Sequence, residues 1–306
     1  MKKAALAVIV IGVAAGGTLW AVAAPARLPD EAYQALPEPD LANGEQVFWA
    51  TGCASCHQLE GDAGQDAEGR PILGGGHALE SEFGTFVAPN ISPSDTGIGG
   101  WSFDQFANAV LRGVAPDGSH YYPAFPYGSY AMMTMEDVND LWGFIATLPE
   151  SDNRAPESAV DFPYSINRAV GLWKYLYLND QPRIEIDTAD PALTRGRYLV
   201  EGLGHCGECH TPRDALGGLD GERWLAGAPN PSGDGRIPNI TPGGAIADWS
   251  AGDIAYYLES GFTPDFDSVG GSMAAVQRGM ARLSAEDRDA IAAYLKAIPA
   301  HESENQ

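Results

Sequence analysis

Apolar residues recur at helical spacing along much of the chain, and capping signals mark the ends of several segments. Residues 165–178 place apolar side chains three and four positions apart, as one face of a helix does. Ser102 and Ser250 each precede a mixed apolar and polar segment, and Gly113 and Gly261 end those segments. Serine is a favoured N-cap, and glycine commonly follows a helix C-terminus. The pattern predicts two capped helices and an all-α fold.

The two predicted helices lie 148 positions apart and belong to an internal repeat. Each copy has a last apolar segment, which begins after Thr134 in one copy and Ser284 in the other. The copies also share a Pro-rich run, Pro89-Asn90-Ile91-Ser92-Pro93 in the first and Pro238-Asn239-Ile240-Thr241-Pro242 in the second. We predict two tandem domains, 38–150 and 189–301. A linker with a bracing helix, 151–188, joins them.

The N-terminus, residues 1–28, reads as a separate hydrophobic leader helix. Lys2 and Lys3 precede an apolar run of about 21 residues from Ala4 to Ala24, which is the pattern of an export signal. The run is also near the length of a membrane-spanning helix, so the leader is a signal peptide or a membrane anchor. Its length favours the anchor. Both forms place the rest of the chain in the periplasm or at the periplasmic face of the inner membrane.

The chain carries a strong negative charge. It has 18 Lys and Arg against 41 Asp and Glu, a formal net charge of -23. This balance excludes nucleic acid as a partner, because nucleic-acid binding depends on basic patches that replace counterions. It is compatible with basic protein partners, which an acidic surface attracts over a distance.

All four cysteines lie in two copies of one motif, Cys53-Ala54-Ser55-Cys56-His57 and Cys206-Gly207-Glu208-Cys209-His210. Two thiols one helical turn apart can bond to the two vinyl groups of one porphyrin, and the adjacent His becomes the proximal iron ligand. A zinc site would have to join two pairs that are about 150 residues apart. The sequence therefore predicts two covalently bound haem c groups. Their attachment residues are Cys53, Cys56, Cys206 and Cys209, and their proximal ligands are His57 and His210.

Methionine is a common sixth ligand in electron-transfer cytochromes. In the second copy, Met273 follows Gly270-Gly271-Ser272 in a predicted loop, and we predict it as the ligand of the second haem. Met280 is the competing residue, with core packing as its ordinary role. The position 148 residues before Met273 holds Phe125, which cannot bind iron.

The first haem must therefore take its sixth ligand from another position or have an open site. Met132 and Met133 are adjacent in a predicted extended segment, so their side chains face opposite sides. We predict Met133 as the ligand, with Met132 and His120 as alternatives. Met135 is a further candidate, but it lies in the first turn of the predicted last helix, where a surface or packing role is expected.

Several of these segments carry a family resemblance. They are the two Cys-x-x-Cys-His motifs, residues 90–93, 96–102 and 118–127 in the first copy, and residues 239–242, 249–250 and 273–276 in the second. They resemble the cytochrome c subunits of membrane-bound alcohol, aldehyde and gluconate dehydrogenases. The better-known members have three haem domains and Met at the position of Phe125. A related dihaem branch is similar to this chain, with Phe there and Met at the position of Met133.

The resemblance implies an electron carrier and not an enzyme. It would accept electrons from a periplasmic dehydrogenase and deliver them to quinone, a terminal oxidase or another cytochrome of the respiratory chain. Transfer would be outer-sphere between two six-coordinate haems. The alternative is a dihaem redox enzyme of the peroxidase or thiosulfate-oxidising type, with an open iron site at the first haem. A gas sensor or docking domain would need the same open site.

Overall fold

The computed structural model describes residues 2–230, 233 and 235–302, with side chains from Gly12 onward. This part of the chain is mainly helical. The α-helices are α1 (Lys2–Val22), α2 (Leu41–Ala50), α3 (Cys53–His57), α4 (Phe103–Arg112), α5 (Tyr127–Tyr130), α6 (Met135–Ile145), α7 (Ala169–Tyr177), α8 (Pro191–Arg197), α9 (Gly207–His210), α10 (Ala251–Ser260), α11 (Met273–Met280) and α12 (Ala285–Ala297). The strands are β1 (Ala78–Ser81), β2 (Gly84–Val87), β3 (Ala159–Val160), β4 (Ala228–Pro229) and β5 (Arg236–Ile237).

We call helices α2 to α6 the first half and helices α8 to α12 the second half. In each half the last helix packs on the first, α6 on α2 and α12 on α8. A glycine allows this close approach in both pairs. A Cβ atom on Gly44 would lie 2.2 Å from the Asp140 carbonyl oxygen, and one on Gly196 would lie 2.0 Å from the Ala290 carbonyl oxygen. No side chain fits at either position, so these two glycines set the helix crossings.

Replacing Gly196 with alanine is expected to lower the free energy of unfolding by about 1–3 kcal/mol, because the added methyl group pushes α8 and α12 apart. Denaturant unfolding followed by circular dichroism measures this change. The matched control is Gly252→Ala in α10, where the new Cβ meets only the Ser250 hydroxyl at 3.6 Å. That variant should be at least as stable as the unmodified protein, because alanine favours a helix more than glycine does. Equal stability of Gly196→Ala and the unmodified protein would contradict the packing argument.

The middle helices α4 and α10 have the predicted caps. The Gln105 side chain accepts a hydrogen bond from the Ser102 backbone N–H (3.0 Å), and Asp253 accepts one from the Ser250 N–H (2.8 Å). Both helices end in a glycine with left-handed backbone, at φ 59° and φ 77°. Thr134 and Ser284 cap α6 and α12 by accepting hydrogen bonds from Asp137 N and Asp287 N. These four helix starts are therefore confirmed.

The all-α prediction is incomplete, because the structure contains two small sheets. Strands β1, β2 and β3 form one antiparallel sheet, and β4 pairs with β5 in the other. Each strand has two to four residues, which is too short for an alternating pattern to stand out from the sequence. Strand β3 comes from the predicted linker, so that segment is joined to the first half by backbone hydrogen bonds.

Helix α7 lies within the segment predicted as a bracing helix, and it contacts α1. Gly171 of α7 packs on the backbone of Ala23, which is 3% exposed. The side chains of residues 1–11 of the predicted leader lie outside the described part of the chain. Among the described residues, no helix combines the length and the apolar character needed to cross a membrane.

Candidate functional site

The first Cys-x-x-Cys-His motif forms the short helix α3, which starts after Gly52 in left-handed backbone (φ 65°). The Thr51 hydroxyl lies 3.2 Å from the Cys53 sulfur. His57 Nδ1 lies 2.8 Å from the Pro89 carbonyl oxygen. A carbonyl only accepts, so Nδ1 carries the proton and Nε2 keeps a free lone pair. This is the orientation of a histidine that binds a metal through Nε2.

The second motif repeats this geometry in α9. His210 Nδ1 donates to the Pro238 carbonyl oxygen at 2.8 Å, as His57 does to Pro89. The chain reaches α9 through a π-helical turn, Tyr198–Leu203, and through His205, whose backbone is left-handed at φ 38°. Each half therefore presents one histidine with Nε2 free beside two cysteines.

The asparagine after each proline explains why both halves keep the Pro-Asn pair. The Asn90 amide donates to the Ser151 carbonyl (2.7 Å), and the Asn239 amide donates to the His301 carbonyl (2.8 Å). Both carbonyls lie just beyond the last helix of their half. The asparagines therefore tie each loop to the end of α6 or α12 and fix the carbonyl that orients the motif histidine. The sequence repeat showed this pair, but not its role.

Burial keeps the thiols and imidazoles of the two motifs neutral. It raises the pKa of Cys53 to about 11 and that of Cys206 to about 12. It lowers the pKa of His57 and of His210. A redox-active dithiol has a lowered thiol pKa, which is the opposite direction. Neutral imidazole is the form that binds a metal.

No cysteine among the described residues is in a disulfide, and no group of three or more His, Cys, Asp or Glu side chains there is arranged to hold a metal ion. The two cysteine pairs are therefore not gathered into one four-ligand zinc site. Each pair with its histidine is a separate unit, and this arrangement fits the attachment of one porphyrin per motif.

Residues that closely precede the two motifs meet at a polar contact, in which Thr51 and Tyr130 belong to the first half and His205 to the second. The Tyr130 hydroxyl donates to the Thr51 carbonyl oxygen at 2.6 Å, and His205 Nε2 lies 3.3 Å from the same oxygen. The rings of Tyr130 and His205 pack edge to face, with centroids 5.6 Å apart. Thr51 is two residues before Cys53, and His205 directly precedes Cys206. We call these three residues the inter-motif contact.

In each half, the helix that precedes the last one contacts the motif segment of the other half. These helices are α5 in the first half and α11 in the second. Helix α11 contacts α3, and the Ser55 hydroxyl lies 3.5 Å from the Ala275 carbonyl oxygen. Helix α5 contacts the π-helical turn, and the Ser129 hydroxyl donates to the Glu208 carboxylate at 3.0 Å. The attachment segments of the two motifs are therefore neighbours. Sequence reasoning missed these contacts, because nothing local to Tyr130 or His205 marks them as interface residues.

The structure separates the candidate sixth ligands of the first half. Met133 is buried in the core, at 6% exposure. The Met132 Cβ atom faces the second half, 3.5 Å from the position that a Cβ on Gly202 would take. His120 Nε2 lies 3.0 Å from the Ala23 carbonyl oxygen and is held there. The expectation of an extended segment is wrong: 132 and 133 lie in a turn, with backbone hydrogen bonds to Ser129 and Tyr130. Met133 stays a prediction.

In the second half, Met273 begins helix α11, where the sequence predicted a loop. The glycines before it form the turn, and the Met-Ala-Ala run continues as a helix because these residues favour that conformation. Met280 is buried at the other end of α11, and its Cε lies 3.7 Å from the position of a Cβ on Gly204. Met280 thus packs next to Gly204, two residues before the first cysteine of the second motif. Met273 remains the predicted sixth ligand.

Comparison with known proteins agrees with this geometry. The family model described as cytochrome c matches residues 41–149. Over 98% of its length, the chain is 52% identical to a protein named diheme cytochrome c-type from Cereibacter sphaeroides, covering 98% of that protein. The chain belongs to the cytochrome c family. It carries two covalently bound haem c groups, and each motif with its free Nε2 fits one of them.

Two further relatives of this cytochrome are subunits of larger enzymes. Over 88% of its length it is 37% identical to the fructose dehydrogenase cytochrome subunit of Gluconobacter japonicus, and it covers 54% of that protein. Over 90% of its length it is 33% identical to the gluconate 2-dehydrogenase cytochrome c subunit of Pantoea cypripedii, and it covers 62% of that protein. These relatives support electron transfer and not catalysis as the role of the chain.

Proposed function

We propose that this cytochrome is an exported dihaem electron carrier. It accepts electrons from a periplasmic dehydrogenase and passes them on to the respiratory chain, through quinone, a terminal oxidase or another cytochrome. The inter-motif contact carries this proposal, because it brings the two attachment segments together. Electron transfer between two haems needs such proximity, whereas a single-site enzyme does not. The cytochrome c subunits among its relatives support the choice of a dehydrogenase as donor.

In this proposal, domains 38–150 and 189–301 each hold one haem. His57 with Met133 and His210 with Met273 are the axial pairs. Bound haem c supplies reversible one-electron chemistry at its iron. The protein's own part is to fix both imidazoles through the Pro89 and Pro238 carbonyls. Electron transfer then needs no bond rearrangement in the chain.

The test is a carbon monoxide difference spectrum of the dithionite-reduced protein. We expect no carbon monoxide complex at either haem, because both irons hold a protein ligand on each side. Stoichiometric binding at one haem would contradict the proposal and favour the dihaem enzyme with an open first site. The positive control is the denatured, reduced protein, in which the methionine ligands are lost and carbon monoxide binds.

A further inference from the structure

The same tight turn follows the middle helix in both halves, and the two copies differ in what covers them. An isolated bridge closes each turn, Val114 with His120 in the first half and Phe262 with Ser268 in the second. These pairs lie 148 positions apart, like the helices before them. We call residues 114–120 the first turn and residues 262–268 the second turn.

The first turn is covered by other parts of the chain. His120 Nε2 donates to the Ala23 carbonyl oxygen, and the Arg27 guanidinium donates to the Pro116 carbonyl oxygen at 3.1 Å. The Lys174 ammonium donates to the Gly113 carbonyl oxygen at 2.6 Å, at the C-terminus of α4. Asn167 accepts a hydrogen bond from the His120 backbone N–H at 3.0 Å and donates one to the His120 carbonyl oxygen at 2.7 Å. The cover thus comprises Ala23, Arg27, Asn167 and Lys174. A helix C-terminus followed by a turn suits such cations, because its carbonyls point outward.

The second turn lies open to solvent among the described residues. Phe262 is 47% exposed and Phe266, at the tip, is 88% exposed. Phe266 also has left-handed backbone, at φ 68°, whereas the equivalent position of the first turn holds Gly118, at φ 85°. Left-handed backbone disfavours any residue with a Cβ, and a bulky one most of all. The second turn therefore holds an exposed aromatic ring at a position that favours glycine.

The surroundings of Phe266 are acidic. Asp265 and Asp267 flank it, and both are exposed. Glu259, in the last turn of α10, is paired with the Arg288 guanidinium at 3.3 Å, so the acidic charge at the tip comes from the two aspartates. The chain as a whole has a net charge of -23. From Ser268 the chain runs through four residues to Met273, the predicted sixth ligand of the second haem. The ring thus stands at the tip of the loop that leads to Met273.

We propose that the second turn is the docking surface for a basic redox partner protein, with the Phe266 ring seated in an apolar hollow of that partner. Asp265 and Asp267 would face the partner's lysines and arginines. This inference rests on the proposed electron-carrier function. A small central apolar contact inside a charged rim is the arrangement that gives fast and specific association.

The experiment is stopped-flow oxidation of the reduced full-length dihaem protein by a small, lysine-rich ferric cytochrome c. Phe266→Ser is expected to lower the second-order rate constant about tenfold at low salt, as for loss of an aromatic anchor. For the unmodified protein and for Phe266→Ser, the rate constant should decrease as salt is raised from about 20 mM to about 500 mM, because salt screens the acidic rim. The matched control is Tyr175→Ser, which removes a 73% exposed aromatic ring from α7. Its rate should stay within about twofold of the unmodified protein.

Phe266→Gly separates docking from folding. Glycine accepts the left-handed backbone, so the thermal midpoint should equal or exceed that of the unmodified protein, while the rate falls as with serine. Unchanged rates in both Phe266 variants, with the salt dependence kept, would overturn the docking surface but leave the electron carrier intact. A rate that is negligible for the unmodified protein at all salt concentrations would instead contradict the proposed function.

Discussion

Replacement of Cys206 and Cys209 by alanine is expected to reduce the covalent haem content from two groups to one. Without thioether bonds, haem is lost from the second half when the protein is denatured for the assay. In the native state, the second half would also lack a covalently held apolar group to pack against. We expect the second half to lose most of its helical signal, a larger effect than any single core truncation.

The measurement is the haem content per chain, from the pyridine haemochrome spectrum and the mass of the denatured protein. The matched control is the corresponding replacement of Cys53 and Cys56, which should leave the other haem in place. Each variant should retain one haem if domains 38–150 and 189–301 mature independently. Loss of both haems from either variant would contradict that division, and retention of both would contradict the attachment sites.

The sequence predicted those parts of the fold that depend on neighbouring residues. Caps such as Ser250 and Thr134 form hydrogen bonds within three residues, so their pattern is readable locally. The glycine after α4 or α10 is likewise a local signal. The Cys-x-x-Cys-His motifs are readable for the same reason, since the attachment of haem c needs both thiols and the histidine within five residues.

The remaining features depend on contacts between distant residues. The hydrogen bond from Tyr130 to Thr51 joins positions 79 residues apart, and the contact of His205 with Thr51 joins positions 154 apart. No local pattern marks such pairs. The same is true of β3, whose two residues form a strand only because β2 is available to pair with them. The first residue of α11 was missed because a glycine-rich run can lead into a helix as well as into a loop.

Replacement of Met133 by leucine is expected to open the sixth position of the first haem. Leucine keeps the volume and the apolar character of this buried site, so the side-chain packing alone should cost less than about 1.5 kcal/mol. The reduced variant should bind one equivalent of carbon monoxide. The reduction potential of one haem should fall by on the order of 100 mV, because methionine raises the potential of haem iron relative to other ligand sets.

The matched control is Met132→Leu, one residue away. The Met132 Cβ faces Gly202 of the second half, so this change should leave both potentials and the absence of carbon monoxide binding as they were. Spectroelectrochemical titration of both variants, with carbon monoxide spectra, makes the comparison. Met273→Leu should act like Met133→Leu, but on the second haem. Comparison of these two variants then assigns each reduction potential to one haem. The reverse result, with carbon monoxide bound by Met132→Leu and not by Met133→Leu, would transfer the ligand role to Met132. If neither variant binds carbon monoxide, neither methionine is the sixth ligand of the first haem, and another residue holds that position.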